Sequence, residues 1–453
     1  MENNKEFLGK ENVGKLLLKL AIPSVIAQLV NMLYNIIDRV YIGHMKDVGS
    51  IALTGVGVCL PLILIVSAFA ALISSGGAPR ASIKMGEKNY DGAEEILGNC
   101  FTLQIIISVI LTVVLLAFNE PLLMAFGGSS ETIAYSTSYM NIYAIGTIFV
   151  QLTLGMNGFI SCQGFTKHSM ISVAIGAIVN IILDPIFIFV FNMGVSGAAL
   201  ATVIAQGVST IWVLSFLRGR KTLIKLKPSL MRLKANVIIP CILLGLATFI
   251  MQASESVIAI CFNSSLQYYG GDLEVGAMTI LTSVMQFAMM PMQGVAQGAQ
   301  PIISYNYGAK NKERVKSIFK LLTIVCLSYS LVLWASIMLF PKGFASIFTN
   351  DELLVPFTAR MLRIYCGGLC LFGIQIACQM TFVSIGSSLS SISVAVFRKI
   401  IVLIPLIYII PYLVEDPVKG VYLAEPIADV LAVLFTICLF SFKFKKALNK
   451  ISN

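Results

Sequence analysis

Apolar residues run through this chain in twelve stretches long enough to cross a bilayer, separated by short polar turns. They cover roughly residues 16–42, 51–75, 96–118, 134–160, 169–192 and 195–217 in the first half, and 237–263, 276–300, 316–340, 355–382, 391–413 and 419–442 in the second. At about 1.5 Å of rise per residue, each spans a hydrocarbon core of roughly 30 Å as a helix. Turn chemistry marks most breaks: Phe126-Gly127-Gly128-Ser129, Phe191-Asn192-Met193-Gly194, Tyr269-Gly270-Gly271-Asp272 and Asp416-Pro417. The first stretch is the least uniform. Gln28, Asn31, Asn35 and Asp38 follow one another at spacings of 3, 4 and 3, so a helix carries all four on one face, with Tyr34 one turn before Asp38. Amides in that setting are ordinary glue between helices. A carboxylate costs about 3 kcal/mol at mid-membrane even on insertion scales, so Asp38 has to face a partner or a water-filled cavity.

Composition sharpens this into an all-α polytopic membrane protein. The 453 residues are 57% hydrophobic and 12% charged, where a soluble chain carries about 25% charged residues. The polar start, MENNKEFLGKENVGK, and the length of the run behind it predict that the first helix is kept rather than cleaved as a signal peptide. The net charge of +10 reflects topology and implies no nucleic-acid partner. Lys5, Lys10, Lys15 and Lys19 precede or open the first span, and Arg80, Lys84 and Lys88 fall between the second and third. Seven Lys and Arg residues crowd 218–234, five more fall between the eighth and ninth spans, and the chain ends on Lys443, Lys445, Lys446 and Lys450. The opposite connections hold only Lys46, Lys342 and Lys419, with Arg360 near one edge. The positive-inside rule therefore places both termini in the cytoplasm, as twelve spans require. The ten cysteines lie in or beside apolar runs and read as small, reduced core residues.

The halves repeat. Gly76-Gly77-Ala78-Pro79 through Lys88-Asn89 after the second span and Gly298-Ala299-Gln300-Pro301 through Lys310-Asn311 after the eighth share Gly, Pro, Ser, Gly, Lys and Asn at one offset of 222 residues. Ile171-Ser172-Val173 recurs as Ile392-Ser393-Val394. With six spans each, the repeats share one orientation and are related by an axis along the membrane normal, as in transporters that bind substrate between lobes near the midplane. The expected organisation is an N-terminal six-helix lobe (1–217), a basic cytoplasmic linker (218–236) and a C-terminal six-helix lobe with a basic tail (237–453).

A second acid, Asp184, falls in NIILDPIFIF, with Asn180 one turn earlier and Pro185 directly after it. Proline frees carbonyl oxygens in the preceding turn, and free oxygens beside a carboxylate suit a desolvated cation or a proton-carrying acid. Thr202 on the next span can add a hydroxyl. Asp38 and Asp184, if close, should not both stay ionised without a cation. Asp38, Asn180, Asp184, Thr202 and Tyr34 are thus the candidate coupling residues, with Asp38, Asn180 and Asp184 the candidate Na⁺ ligands. In the second half Gln252 and Glu255 share a face of the seventh span, and Gln286, Gln293, Gln297 and Gln300 form a seam on the eighth among Met285, Met289, Met290 and Met292. Asn31, Asn35, Gln252, Glu255, Gln293, Gln297 and Met289 are the candidate substrate contacts. Arg398 is expected to neutralise one of Glu425 and Asp429 as a clasp, and Glu255 has no evident basic partner.

LYNIIDRVYIGH, NIILDP, FIMQASES, QGAQPIISYNYGAKN and YLAEPIAD together resemble the multidrug and toxic compound extrusion (MATE) transporters over nearly the whole chain, on the branch with staphylococcal and clostridial exporters. The resemblance implies two pseudo-twofold-related lobes around a central cleft, in a bacterial cytoplasmic membrane. It also implies antiport of organic cations against Na⁺ or H⁺, a first-lobe cation site at Asp38, Asn180, Asp184 and Thr202 with Tyr34 and Asn31 beside it, and a bend at Pro23. A second-lobe ion site would need an acid in the tenth span, which has none inside.

The expected partners are small organic cations, the coupling cation and the bilayer, with a monomer and no cofactor beyond that ion. A flippase for lipid-linked precursors is the alternative, but its cleft should be lined by Arg and Lys to hold pyrophosphate. No HExxH and no phosphate-cradling Gly-Lys-Ser/Thr loop is present, so neither an enzyme nor an ATP-driven pump is expected.

Overall fold

A computed structural model of the chain describes residues 6–45, 48–349 and 351–451. Lys5 and Lys46 of the charge pattern lie outside these residues. Lipid offers no hydrogen bonds to a backbone, so each apolar run closes its own amides as a helix. Twelve helices of spanning length result among the described residues: α1 Val13–Gly43, α2 Ile51–Gly86, α3 Tyr90–Ala117, α4 Ile133–Ser161, α5 Thr166–Val190, α6 Val195–Arg218, α7 Ala235–Tyr269, α8 Asp272–Gly308, α9 Lys312–Leu339, α10 Leu354–Ser384, α11 Ser388–Tyr412 and α12 Pro417–Lys450. Apolar stripes such as Ile106, Val109, Ile110 and Val113 on α3 stay exposed and face lipid.

The helices outrun the apolar stretches in two instructive places. The repeated Gly-Pro-Ser-Gly segments read as exits from the second and eighth spans, yet α2 stays helical to Gly86 and α8 to Gly308. Pro79 and Pro301 are buried inside these helices, where neighbouring helices satisfy what a proline frees. Arg80 and Lys84 therefore sit on a helix and not in a loop. Three other spans are irregular: α5 turns to π geometry over Ile186–Val190 directly after Asp184-Pro185, α10 tightens to a 3-10 turn over Cys366–Gly368, and α11 carries a π stretch over Phe397–Leu403. Such turns re-aim side chains and gather at functional places. Pro23 lies within α1, which remains one helix from Val13 to Gly43.

Helices α1–α6 pack mainly among themselves, and so do α7–α12. Between these lobes the contacts are reciprocal: α2 lies on α7, α8 lies on α1, and α2 crosses α8. Glycine makes the crossing possible. A Cβ on Gly86 would overlap the Tyr305 carbonyl, and one on Gly308 would overlap the Ile83 carbonyl. Ile83 and Tyr305 are themselves repeat equivalents at the 222-residue offset, so the pseudo-twofold axis passes through this crossing. Gly294 and Gly298 likewise lie against Val25 and Ala21 of α1.

All these approaches fall in the half of the molecule that bears the termini. Ser82 donates to the Pro301 carbonyl at 3.3 Å, and the Arg314 guanidinium reaches back to the Glu11 carbonyl at 2.8 Å. The innermost inter-lobe contacts are the Gln28–Gln297 hydrogen bond, 3.1 Å, and the Phe69–Phe249 ring pair, 4.8 Å between centroids. Segment 219–234 is docked on the first lobe: Gln163 Oε1 accepts from the Leu223 amide at 2.6 Å, and Ile224 is fully buried.

Candidate functional site

The first lobe brings its predicted polar residues to one place. Asn180 and Asp184 lie one turn apart on α5 and are buried to 1% and 0% exposure. Asn180 Nδ2 donates to Asp184 Oδ1 at 3.2 Å and to Thr202 Oγ1 on α6 at 3.4 Å. Asp38 arrives from α1, and its carboxyl faces that of Asp184 side chain to side chain, with Tyr34 beside both. No donor reaches Asp38 Oδ1, Asp184 Oδ2 or Asn180 Oδ1, although all three atoms are buried. Neither aspartate takes part in an ion pair among the described residues; Arg39, next to Asp38, points to an exposed surface.

A buried carboxyl group and a half-buried one thus meet, with three buried oxygens that no donor reaches. Like charges at such range cannot both persist in a low-dielectric site without a counter-charge. A proton on one acid, or a hard cation held by these oxygens, resolves the conflict. A cavity of ≈ 30 Å³ lies on the Asn180–Thr202 side of the site, bordered also by Asn31, Tyr34 and Gln206 and by neither aspartate; that is room for about one or two waters. Two residues of the site escaped the sequence reading. Tyr139 on α4 meets the Thr202 side chain, and Tyr143, one turn on, lies beside Tyr34. Their rings stack at 6.2 Å. The tyrosines of YSTSYMNIY at helical spacing were the available signal, but uncharged rings at that spacing usually mean packing.

Above the Gln28–Gln297 floor, polar side chains line the facing walls. Asn35 is exposed and donates to the Asn31 carbonyl at 2.6 Å. Gln252, Glu255 and Gln293 are exposed, while Met289 is half-buried. On α7 the exposed apolar residues Ile239, Leu243 and Val257 mark the lipid side, and Glu255 lies about 200° around the helix from Val257. Glu255 therefore faces the cleft. Gln297, predicted as a substrate contact, is tied across the lobes to Gln28 and forms part of the floor.

The second-lobe charges differ from expectation in two respects. Glu255 does have a basic partner: Lys399 Nζ lies 2.7 Å from Glu255 Oε1. No local pattern marks the lysine, which sits inside an apolar run beside Arg398 and pairs across 144 residues. Arg398, in turn, holds both acids of α12 and not one. Its Nε and one terminal nitrogen donate to Asp429 Oδ1 at 2.9 and 2.6 Å, and the same terminal nitrogen reaches Glu425 Oε1 at 2.9 Å. The guanidinium also lies over the Phe372 ring at 4.8 Å. A repeat signal was available for Glu255. Pro23 and Asp38 stand fifteen residues apart, as do Pro240 and Glu255, so Glu255 is the counterpart of Asp38. Matching the α5 proline to that of α11 in turn pairs Leu183-Asp184-Pro185 with Leu403-Ile404-Pro405, which leaves the second lobe without an equivalent of Asp184.

A family model described as MatE matches the chain twice, over residues 23–186 and 247–409. The multidrug export protein MepA of Staphylococcus saprophyticus is 24% identical over 435 residues, covering 96% of this chain and 95% of that protein. MepA of Staphylococcus aureus is 23% identical over the same shares. Among solved structures, MATE in the bent conformation superposes with a TM-score of 0.92 at 22% identity, over 99% of each chain. That likeness shows the fold: two six-helix lobes around a cleft.

Proposed function

The chain belongs to the MatE family, and from that premise we propose that it is a secondary active antiporter exporting amphipathic organic cations in exchange for Na⁺ or H⁺. The observation that carries the coupling is the Asp38–Asp184 pair, Asp184 buried and Asp38 half-buried, with no ion-pair partner among the described residues and three buried oxygens, Asp38 Oδ1, Asp184 Oδ2 and Asn180 Oδ1, that no donor reaches. Asn180 and Thr202 complete the oxygen set, and Tyr34 covers it. The relatives named for multidrug export support the cargo class, as does a cleft wall of amides, methionine and one accessible carboxylate. Among the described residues the accessible charge on that wall is the Glu255 carboxylate, with Lys399 largely buried behind it, which favours cationic cargo over the pyrophosphate of a lipid-linked precursor.

By the positive-inside rule the closed, terminus-bearing half lies at the cytoplasm of a bacterial cell membrane, so the cleft opens outward in this state. The ion enters from outside and discharges the acid pair. Opening of the Gly86–Gly308 end then exposes the cleft to the cytoplasm. Ion and drug can drive the cycle only by preferring opposite-facing states, and a carboxyl pair that accepts one visitor at a time gives that preference. The chain works as a monomer with no cofactor beyond the coupling ion.

The test is ethidium efflux in everted membrane vesicles with ΔpH and ΔNa⁺ imposed separately. Efflux driven by one gradient, and lost in Asp38→Asn and Asp184→Asn at normal expression, is the expected result. Gradient-driven efflux that persists in both variants would discard the coupling role of the pair.

A further inference from the structure

Glu255 and Lys399 are exposed to very different degrees: the glutamate side chain is 57% accessible and the lysine 8%. The carboxylate looks into the cleft, and the ammonium reaches it from inside the lobe. Behind Lys399 lies a second acid centre, where Glu425 and Asp429 share the single guanidinium of Arg398. Glu425 is within electrostatic range of Lys399 as well as of Glu255. With all five groups ionised, three carboxylates face two bases, and the cluster carries one negative charge in excess.

The two bases are not equally free to move. Arg398 is fixed by bonds to both acids and by its place over Phe372. Lys399 is a compact charge on a flexible stem, held by Glu255 as its one ion-pair partner among the described residues. The π stretch Phe397–Leu403 points these consecutive residues to different neighbours, Arg398 to α12 and Lys399 to α7.

Resting on the cation-export reading above, we propose that Lys399 is a tethered counter-ion and a specificity-determining residue. It holds Glu255 until a cationic substrate arrives from the cleft, then swings toward the excess carboxylate charge at Glu425. A substrate with one positive charge brings the cluster to neutrality. A substrate with two leaves a positive charge uncompensated among buried groups, which a low-dielectric site disfavours. The subsite is therefore matched to monocations, and the lysine sets that match. Among the described residues no lysine or arginine forms an ion pair with the first-lobe acids, and that pair is left for the mobile ion.

The experiment is equilibrium binding of two dyes to the purified full-length protein in detergent: ethidium, with one fixed charge, and propidium, with two. Wild type is expected to favour ethidium. Lys399→Met should shift the ratio of affinities toward propidium by roughly tenfold or more, since it removes a whole charge a few ångströms from the ligand. Lys399→Arg, which keeps the charge, should return the preference toward ethidium, and Glu255→Gln should weaken both dyes. If Lys399→Met does not fold, the same shift is read in E255Q/K399M against E255Q, where no carboxylate is left bare. An unchanged ratio in a folded Lys399→Met protein overturns the inference and leaves the proposed function standing. Failure of wild type to bind either dye overturns both.

Discussion

In the first lobe the acid fifteen residues beyond the α1 proline, Asp38, meets a second acid, Asp184. In the second lobe the acid at the same spacing on α7, Glu255, meets a lysine at 2.7 Å. The scaffold around them is shared, down to the paired prolines of α5 and α11. Only the partner differs: Asp184 gives way to Ile404, and a cation comes instead from Lys399, five residues earlier on α11. A duplicated frame thus carries one anionic nest that must borrow its counter-charge and one that brings its own. On the function proposed above, ion exchange falls to the first and recognition of a charged substrate to the second.

The strongest way to break this contrast is to remove it. Asp184→Lys would give the first lobe a tethered cation like that of the second. Gradient-driven efflux should fall to background while ethidium binding in the cleft persists, checked by vesicle efflux beside a binding isotherm on the purified variant. Asp38→Asn and Asp184→Asn should also abolish coupling. Next in size is Arg398→Ala. It strands Glu425 and Asp429 inside the bilayer, and removal of one partner from a buried ionic group destabilises by roughly 3–5 kcal/mol. Its melting temperature in detergent should fall well below that of Glu255→Gln, whose carboxylate faces water in the cleft.

A third test concerns the end that both lobes share. Gly308→Val places a side chain where the Ile83 carbonyl now lies, so α2 and α8 must separate. Spin labels on the two lobes at the terminus-bearing face should report longer distances in the variant, with the population shifted toward opening at that end. The smallest effect is expected from Gln28→Ala, which loses one inter-lobe hydrogen bond worth about 1 kcal/mol. The same labels should show a shift in that direction, but a weaker one.

The sequence made the bilayer-spanning plan readable because lipid forces each apolar run into a helix, and periodicity alone put Gln28, Asn31, Asn35 and Asp38 on one face. It made the Asn180–Asp184 turn readable for the same reason. It did not show where α2 and α8 end. Glycine and proline signal a break in water, whereas here they let helices approach and remain helical. Nor did it show Tyr139, an uncharged ring on a helix between the acids, or Lys399, whose partner is distant in the chain and whose neighbour Arg398 seemed sufficient for the local acids. Long-range pairing inside one lobe is a property of packing that a local pattern does not contain.

The meeting of Gly86 with Tyr305 and of Gly308 with Ile83 is one contact made twice. A six-helix half that encountered its own copy across that axis would find the surface already complementary to itself, with nothing further required for the seal. Symmetry at the seam and asymmetry among the charges are therefore separable features: the sealed end could stay as it was inherited while each half's acid acquired a different companion.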